Sequence, residues 1–380
     1  MTDEFQSRFP VGTTLSYAQY MDIALYDESV GFYATVGRAG RRGDFLTSPE
    51  VGPLFGALIA RRLDEEWLAL GSPETFVVVE FGAGPGTLAR SIAFAGPECA
   101  PALRYLMVER SAEQRALHAE HLEGWMGDVD AAGVETFVSG VGPGPKFASS
   151  PIAPYGITGV ILANELLDNL AFDIVRHDGA GNFERLDVHH TGEGLEFVVA
   201  PTEVPASLAP VLFSAPAGEW MPLQEHAVRW LMEAVDRLDR GSVIAIDYGA
   251  ATDEIARRPD MGWLRTFVGQ ERAGHPLDAP GGCDITADVA VDQLATAVRP
   301  TVITTQRQFL ERLGISQLVE EGRQIWIEKA SAPDVEALRA RSRIGEAEAL
   351  LESGGLGDFV VLEWTIGMAE APEGSPENLR

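Results

Sequence analysis

The 380-residue chain carries 57 acidic against 29 basic side chains, a formal charge of -28 at neutral pH. That balance argues against a nucleic-acid partner, because affinity for a phosphate backbone comes from clustered Lys and Arg. With 46% hydrophobic residues, only two cysteines (Cys99 and Cys283) and no apolar run near the roughly 18 residues of a membrane span, it reads as a globular protein. Membrane insertion, a disulfide framework and a cysteine metal site are not expected.

The acidic stretch from Met1 to Phe5 has none of the basic and apolar regions of a signal peptide, so a cytoplasmic location is expected. Apolar residues recur at helical spacing over 17–25 and 53–70, the second carrying Leu54, Leu58, Leu63 and Trp67 among charges. Residues 1–70 therefore read as a helical extension. Within Gly43-Asp-Phe-Leu-Thr-Ser-Pro-Glu50, Ser48 reads as an N-cap with Pro49 at the first helical position. The same segment also reads as a lid over a bound ligand. Residues 71–170 form the first part of an α/β domain. A strand is expected at 75–81, a helix from Thr87 to near Gly96-Pro97, and a second strand from Leu103 to Glu109. Ser111-x-x-Gln114 resembles a capping box. A third strand is expected at 134–138, a Gly/Pro/Ser-rich loop at 140–156, and a further strand at 159–163 ending on Asn164-Glu165.

Over 171–224 the pattern changes to short segments at 172–177, 183–188 and 195–199, separated by turns, which reads as an inserted antiparallel β meander. His189-His190 lies there without a third ligand at metal spacing and reads as a surface feature. Residues 225–380 resume the alternation. A helix spans 225–238, Gly241 stops it, and a strand runs from Ser242 to Asp247. A loop insertion over 249–290 follows, then helices at 306–313 and 334–351 and a strand at 359–364. Alternation of this kind implies a mostly parallel sheet with its ligand beyond the strand carboxyl ends. Glu80, Glu109, Asn164 and Asp247 each stand at such an end.

The segment Phe76-Val-Val-Val-Glu-Phe-Gly-Ala-Gly-Pro-Gly-Thr87 is a buried strand running into a glycine turn and a helix start, the layout of a nucleotide-type site. Its third glycine comes two residues after the second, unlike the dinucleotide fingerprint. The E-x-G-x-G-x-G form resembles the first motif of S-adenosylmethionine-dependent methyltransferases. Glu80, Gly82, Gly84, Gly86 and Thr87 are thus candidates for cofactor binding. Glu109 suits a ribose, because one carboxylate accepts from both hydroxyls. At the fourth strand end, Asn164, Glu165 and Asp168 are candidate catalytic residues. Asn164 is also a candidate for cofactor binding, and Glu165 is suited to fork-bind a guanidinium acceptor.

Taken in order, Tyr20-Met-x-x-Ala-Leu-Tyr26, Gly31-Phe-Tyr33, the Gly43–Glu50 segment, Glu80–Leu88, Val108–Ser111, Leu162–Asp168, Ile246–Gly249, Pro280–Thr286 and Thr305-Gln-x-x-Phe309 resemble one family. It is the MidA-type class I methyltransferases, relatives of the mitochondrial complex I assembly-factor protein arginine methyltransferase. The resemblance implies a Rossmann-like, seven-stranded, mostly parallel sheet, S-adenosyl-L-methionine as cofactor and a protein substrate methylated on arginine, in some members a respiratory-complex subunit. The chain departs from the family where Gly262-Trp-Leu-Arg265 replaces Gly-Thr-Leu-Arg, where His275 is displaced, and where Asp288 replaces a histidine. Two other readings stay open: a scaffold or assembly protein that retains the cofactor site, and a small-molecule O-methyltransferase. Oligomeric state is not legible in the sequence.

Overall fold

A computed structural model describes residues 3–35, 47–126, 133–139, 146–268 and 271–368. In chain order the main elements begin with α1 (Tyr17–Tyr26), α2 (Pro53–Ala69), β1 (Phe76–Phe81), α3 (Thr87–Ala95), β2 (Leu103–Val108) and α4 (Ala112–His121). They continue with β3 (Phe147–Ser150), β4 (Ile157–Asn164), β5 (Asp173–His177), β6 (Phe183–His190), β7 (Leu195–Thr202), α5 (Glu225–Arg237) and β8 (Leu238–Asp247). The last are β9 (Leu264–Val268), β10 (Asp284–Ala287), β11 (Val302–Thr305), α6 (Gln306–Arg312), α7 (Ile315–Lys329), α8 (Val335–Leu350) and β12 (Val360–Ile366).

Seven strands form one mixed sheet in the order β11-β12-β8-β4-β1-β2-β3. The five strands from β8 to β3 are mutually parallel, whereas β12 runs antiparallel to both β8 and β11. The period of two in Phe76-Val-Val-Val79 is what lets β1 bury both faces. Phe76 and Val78 join Leu54, Leu58, Leu63 and Ile92 of α2 and α3 and Phe309 of α6. Val77 and Val79 join Leu231 and Ala234 of α5 and Trp364 of β12. Each fully buried Leu, Val or Phe contributes about 1.5–3 kcal/mol. With helices on both faces, the carboxyl ends of β1, β2 and β4 are where a ligand can reach backbone and strand-end side chains.

The meander is present: β5, β6 and β7 pair antiparallel, joined by Thr14–Ser16 and Met221–Leu223 in a five-stranded sheet. A separate apolar cluster ties it to the N-terminal segment and the 249–290 insertion through Phe9, Tyr17, Tyr20, Phe172, Trp263 and Ile285. The cavity described below therefore has the sheet on one side and this second body on the other.

Several expectations are corrected. Residues 134–138 belong to a helix, Val134–Ser139, because Val134 and Phe137, three apart, both bury against one sheet face. The third strand is instead Phe147–Ser150, inside the segment expected to be loop. Its small polar residues carry no strand signal, but they pair in register with β2, Tyr105 with Phe147 through Val108 with Ser150. Gly241 does not separate helix from strand, since β8 already starts at Leu238. It stands beside Gly159, and a Cβ on Gly241 would lie 1.8 Å from the Gly159 carbonyl oxygen. The glycine is there for close backbone approach. The 249–290 insertion contains a three-stranded antiparallel sheet built on β9 and β10. Elements β11 and α7 have no counterpart among the sequence expectations. His190 is fully buried, with Nδ1 2.7 Å from the Phe9 carbonyl oxygen, because the N-terminal strand covers that end of β6. The N-cap of the short helix Ser48–Val51 is Thr47; Ser48 is buried and its hydroxyl donates to Gln306 Oε1 at 2.9 Å. Gly43 to Leu46, part of the expected lid, lie outside the described residues.

Candidate active site

A cavity of about 1000 Å³ opens beyond the carboxyl ends of β1, β2 and β4, at the upper end of the range for small-molecule sites. Its wall includes Glu80, Gly82, Gly84, Thr87, Glu109, Asn164, Glu165 and Asp168, so residues from three separate sequence motifs converge on one space. Gly86 is the exception. It lies behind the wall as the left-handed N-cap of α3 (φ 81°) and backs onto Met107 and His118. Its left-handed backbone turns the chain into the helix.

The glycine turn is held open by its backbone. Gly82 and Gly84 have φ of 66° and 51°, a region that costs a side-chain-bearing residue roughly 1–2 kcal/mol. A Cβ on Gly84 would meet nothing within 4 Å, so a side chain there would stand in the cavity. Glu109 pins the turn from the side: Oε2 accepts from the Gly84 N–H at 3.0 Å and Oε1 from the Ser111 N–H at 2.7 Å. Each oxygen keeps acceptor capacity for a second donor, as a ribose diol requires. Burial raises its pKa, and the hydrogen bonds from Ser111 and Gly84 oppose that rise.

The end of β4 is acidic. Glu165 sits at φ 51°, unusual for a residue with a side chain. Its Oε1 accepts from the Ser48 N–H at 3.1 Å and from Asn164 Nδ2 at 3.0 Å. Burial pushes its carboxyl up to about 8. Asp168, only 3% exposed, is also raised by burial and by the neighbouring charges of Asp247 and Asp284. Among the described residues, Asp168 Oδ1 and Asn164 Oδ1 are buried without a hydrogen-bond partner. Asp247, read from sequence as a strand-end acid, is a buried brace. Its Oδ2 accepts from the Leu167 and Asp168 N–H groups at 2.8 and 3.2 Å, and its Oδ1 from the Tyr248 N–H.

Asp284, from the insertion, also lines the cavity, and its Oδ1 accepts from the Tyr33 hydroxyl at 2.9 Å and Asn169 Nδ2 at 3.1 Å. Tyr33 stacks on Tyr26 at 5.4 Å. These residues belong to the sequence motifs quoted above, but nothing in their spacing ties them to this cavity. Trp230 and His226 of α5 line it too, and an amphipathic helix carries no signal that would find them. The departure at Asp288 is compensated: this buried acid pairs with both Arg258 and Arg265, and the Arg265 guanidinium lies 4.7 Å from the Tyr248 ring centre.

Residues 58–308 match the profile of a family described as "Putative S-adenosyl-L-methionine-dependent methyltransferase". The chain belongs to this family. Among curated relatives it is 28% identical over 302 residues to "Protein arginine methyltransferase NDUFAF7 homolog, mitochondrial" of Drosophila melanogaster, covering 72% of this chain and 64% of the relative. It is 25% identical to "Protein arginine methyltransferase NDUFAF7, mitochondrial" of Homo sapiens, covering 84% of this chain and 74% of that one. It thus spans just under two thirds of the fly relative's length. A crystal structure of a COG1565 superfamily member from Burkholderia thailandensis, bound to S-adenosyl-homocysteine, superposes with a TM-score of 0.75 at 26% identity. That match covers 97% of this chain and 91% of the other. The class I methyltransferase-like fold is thereby established, and S-adenosylmethionine is the cofactor of the family. The open wall at Gly84 and the remaining acceptor capacity of Glu109 fit that cofactor.

Proposed function

We propose that this family member methylates a guanidinium nitrogen of an arginine in a partner protein. The observation that carries this reading is the acidic end of the cavity. Glu165, Asp168 and Asp284 converge there, and burial together with neighbouring acids raises the carboxyls of Glu165 and Asp168. A guanidinium entering this site would favour the ionised carboxylates and donate to Asp168 Oδ1. A neutral hydroxyl acceptor brings no positive charge to them. The names of the curated relatives support the same acceptor.

S-adenosylmethionine supplies an electrophilic methyl group on a sulfonium centre when bound. The turn residues Gly82 and Gly84 and the acid Glu109 would hold it; that they line one cavity supports this reading. Glu165 then has two tasks. Among the described residues both hydrogen bonds of its side chain fall on Oε1, so Oε2 is the oxygen available to a guanidinium N–H. Accepting one guanidinium N–H on Oε2, the carboxylate pairs with the planar cation and orients one nitrogen. A carboxyl whose unliganded pKa lies near 8 can also hold the proton that the alkylated nitrogen gives up.

The test is incubation of the full chain with isotope-labelled S-adenosylmethionine and arginine-containing peptides, followed by amino-acid analysis. Label in methylarginine is expected. Label in a low-mass product would favour the O-methyltransferase reading, and no label anywhere would favour the scaffold. Glu165→Gln should lose transfer while keeping its affinity for S-adenosylhomocysteine; undiminished transfer would remove Glu165 from the mechanism.

A further inference from the structure

Helix α4 stands behind the glycine turn and sends two imidazoles into it. His118 Nε2 lies 2.7 Å from the Gly84 carbonyl oxygen, and His121 Nδ1 lies 2.6 Å from the Pro85 carbonyl oxygen. His118 is fully buried, and its other nitrogen, Nδ1, lies 2.8 Å from Ser149 Oγ on β3. The chemistry settles the tautomer. A carbonyl oxygen only accepts, so Nε2 carries the hydrogen, and in the neutral ring Nδ1 accepts from the Ser149 hydroxyl. Burial lowers the pKa of His118, which favours that neutral form.

We propose that His118, oriented by Ser149, is a positioning residue for the cofactor. This role rests on the family's cofactor and is independent of the acceptor's identity. Gly84 is held from both sides: its N–H by Glu109 at 3.0 Å and its carbonyl by His118 at 2.7 Å. Neither histidine lines the cavity, so both carbonyls are drawn toward α4 and away from the ligand space. The Gly84 carbonyl is part of the Gly84–Pro85 peptide, whose proline ring fixes φ and resists a flip, so the imidazole sets where the turn lies and not which way the peptide faces. Without the imidazole, that carbonyl loses its partner and the turn is free to shift as a unit relative to the ligand space. Glu109 also accepts from Ser111 at the start of α4, so one helix sets the loop at both its ends.

The test is calorimetric titration of the full chain with S-adenosylhomocysteine. His118→Ala should raise Kd about tenfold, the scale of one buried hydrogen bond. His118→Gln, whose amide N–H can donate to the same carbonyl, should stay within about threefold of the parent. Ser149→Ala should fall between them. A merely structural histidine would lower the melting temperature of the variants while leaving Kd unchanged. An unchanged Kd in folded His118→Ala overturns the proposal. If that variant does not fold, an unchanged Kd in Ser149→Ala, or a His118→Gln protein that folds but binds at least about tenfold worse than the parent, overturns it. Failure of the parent to bind would overturn it together with the cofactor assignment, whereas loss of arginine methylation with intact binding would touch only the proposed acceptor.

Discussion

The Tyr105 hydroxyl donates to Glu80 Oε2 at 2.8 Å across the adjacent parallel strands β2 and β1. Both side chains are buried, and Glu80 also reaches the cavity floor. Burial pushes the Glu80 carboxyl up to about 8, and the Tyr105 hydrogen bond restrains the rise. The strand-end acid is therefore a polar brace inside the sheet as well as part of the site.

Tyr105→Phe removes that donor without changing the ring. It should destabilise the protein by about 1–3 kcal/mol, the cost of leaving a buried acceptor unsatisfied. Urea unfolding with an unchanged m-value checks it; a loss below about 0.5 kcal/mol would show that Glu80 finds another partner.

Gly84→Ala and Gly86→Ala separate two roles in one turn. Each should lose roughly 1–2 kcal/mol of stability from the left-handed backbone. Only Gly84→Ala places its methyl in the cavity, so its Kd for S-adenosylhomocysteine should rise by at least about tenfold, against a smaller change in Gly86→Ala. Equal losses of binding would return Gly86 to the ligand wall.

Stability should fall as pH rises. Glu80 and Glu165 have folded-state values of about 8, above the ordinary 4.5. Their stabilising contribution is complete below the unfolded value and is lost as pH rises through the folded one. The melting temperature of the ligand-free protein should therefore decline between about pH 5 and pH 8 and then level. Glu165→Gln should flatten the decline. Acceptor binding should run the other way, with kcat/KM for an arginine peptide rising toward about pH 8 as the acids ionise. Because Glu165 interacts with Asp168 and Asp247, its midpoint belongs to that group and not to one residue.

Asp288→Asn should be costly. The acid is buried between Arg258 and Arg265, and removing one partner of a buried ion pair costs about 3–5 kcal/mol. Combining it with Arg265→Met should recover part of the loss, read by denaturant unfolding. No recovery would mean that Arg258 carries the pairing alone.

Local signals are reliable where one element supplies its own pattern. The run 76–79 shows its two buried faces by its unbroken apolar character, the glycines show a turn, and Thr87 follows as the start of α3. The same holds for α1, α2 and the meander, whose periodicities are intact in the chain. Elements defined by a partner escape such a reading. Phe147–Ser150 is a strand only because β2 lies beside it, and Val134–Ser139 is a helix because two residues three apart meet one sheet face.

Family, cofactor loop and strand-end acids are legible in the primary chain alone, because each lies in a short contiguous motif. Packing, in contrast, is what sets Asp284 and Tyr33 beside Asp168 in the cavity wall, turns Gly86 away from it, and brings His118 to the Gly84 carbonyl. The hydrogen bonds involved join residues from 34 to 251 positions apart, and no local periodicity encodes a distance that only the packed chain brings to hydrogen-bond length.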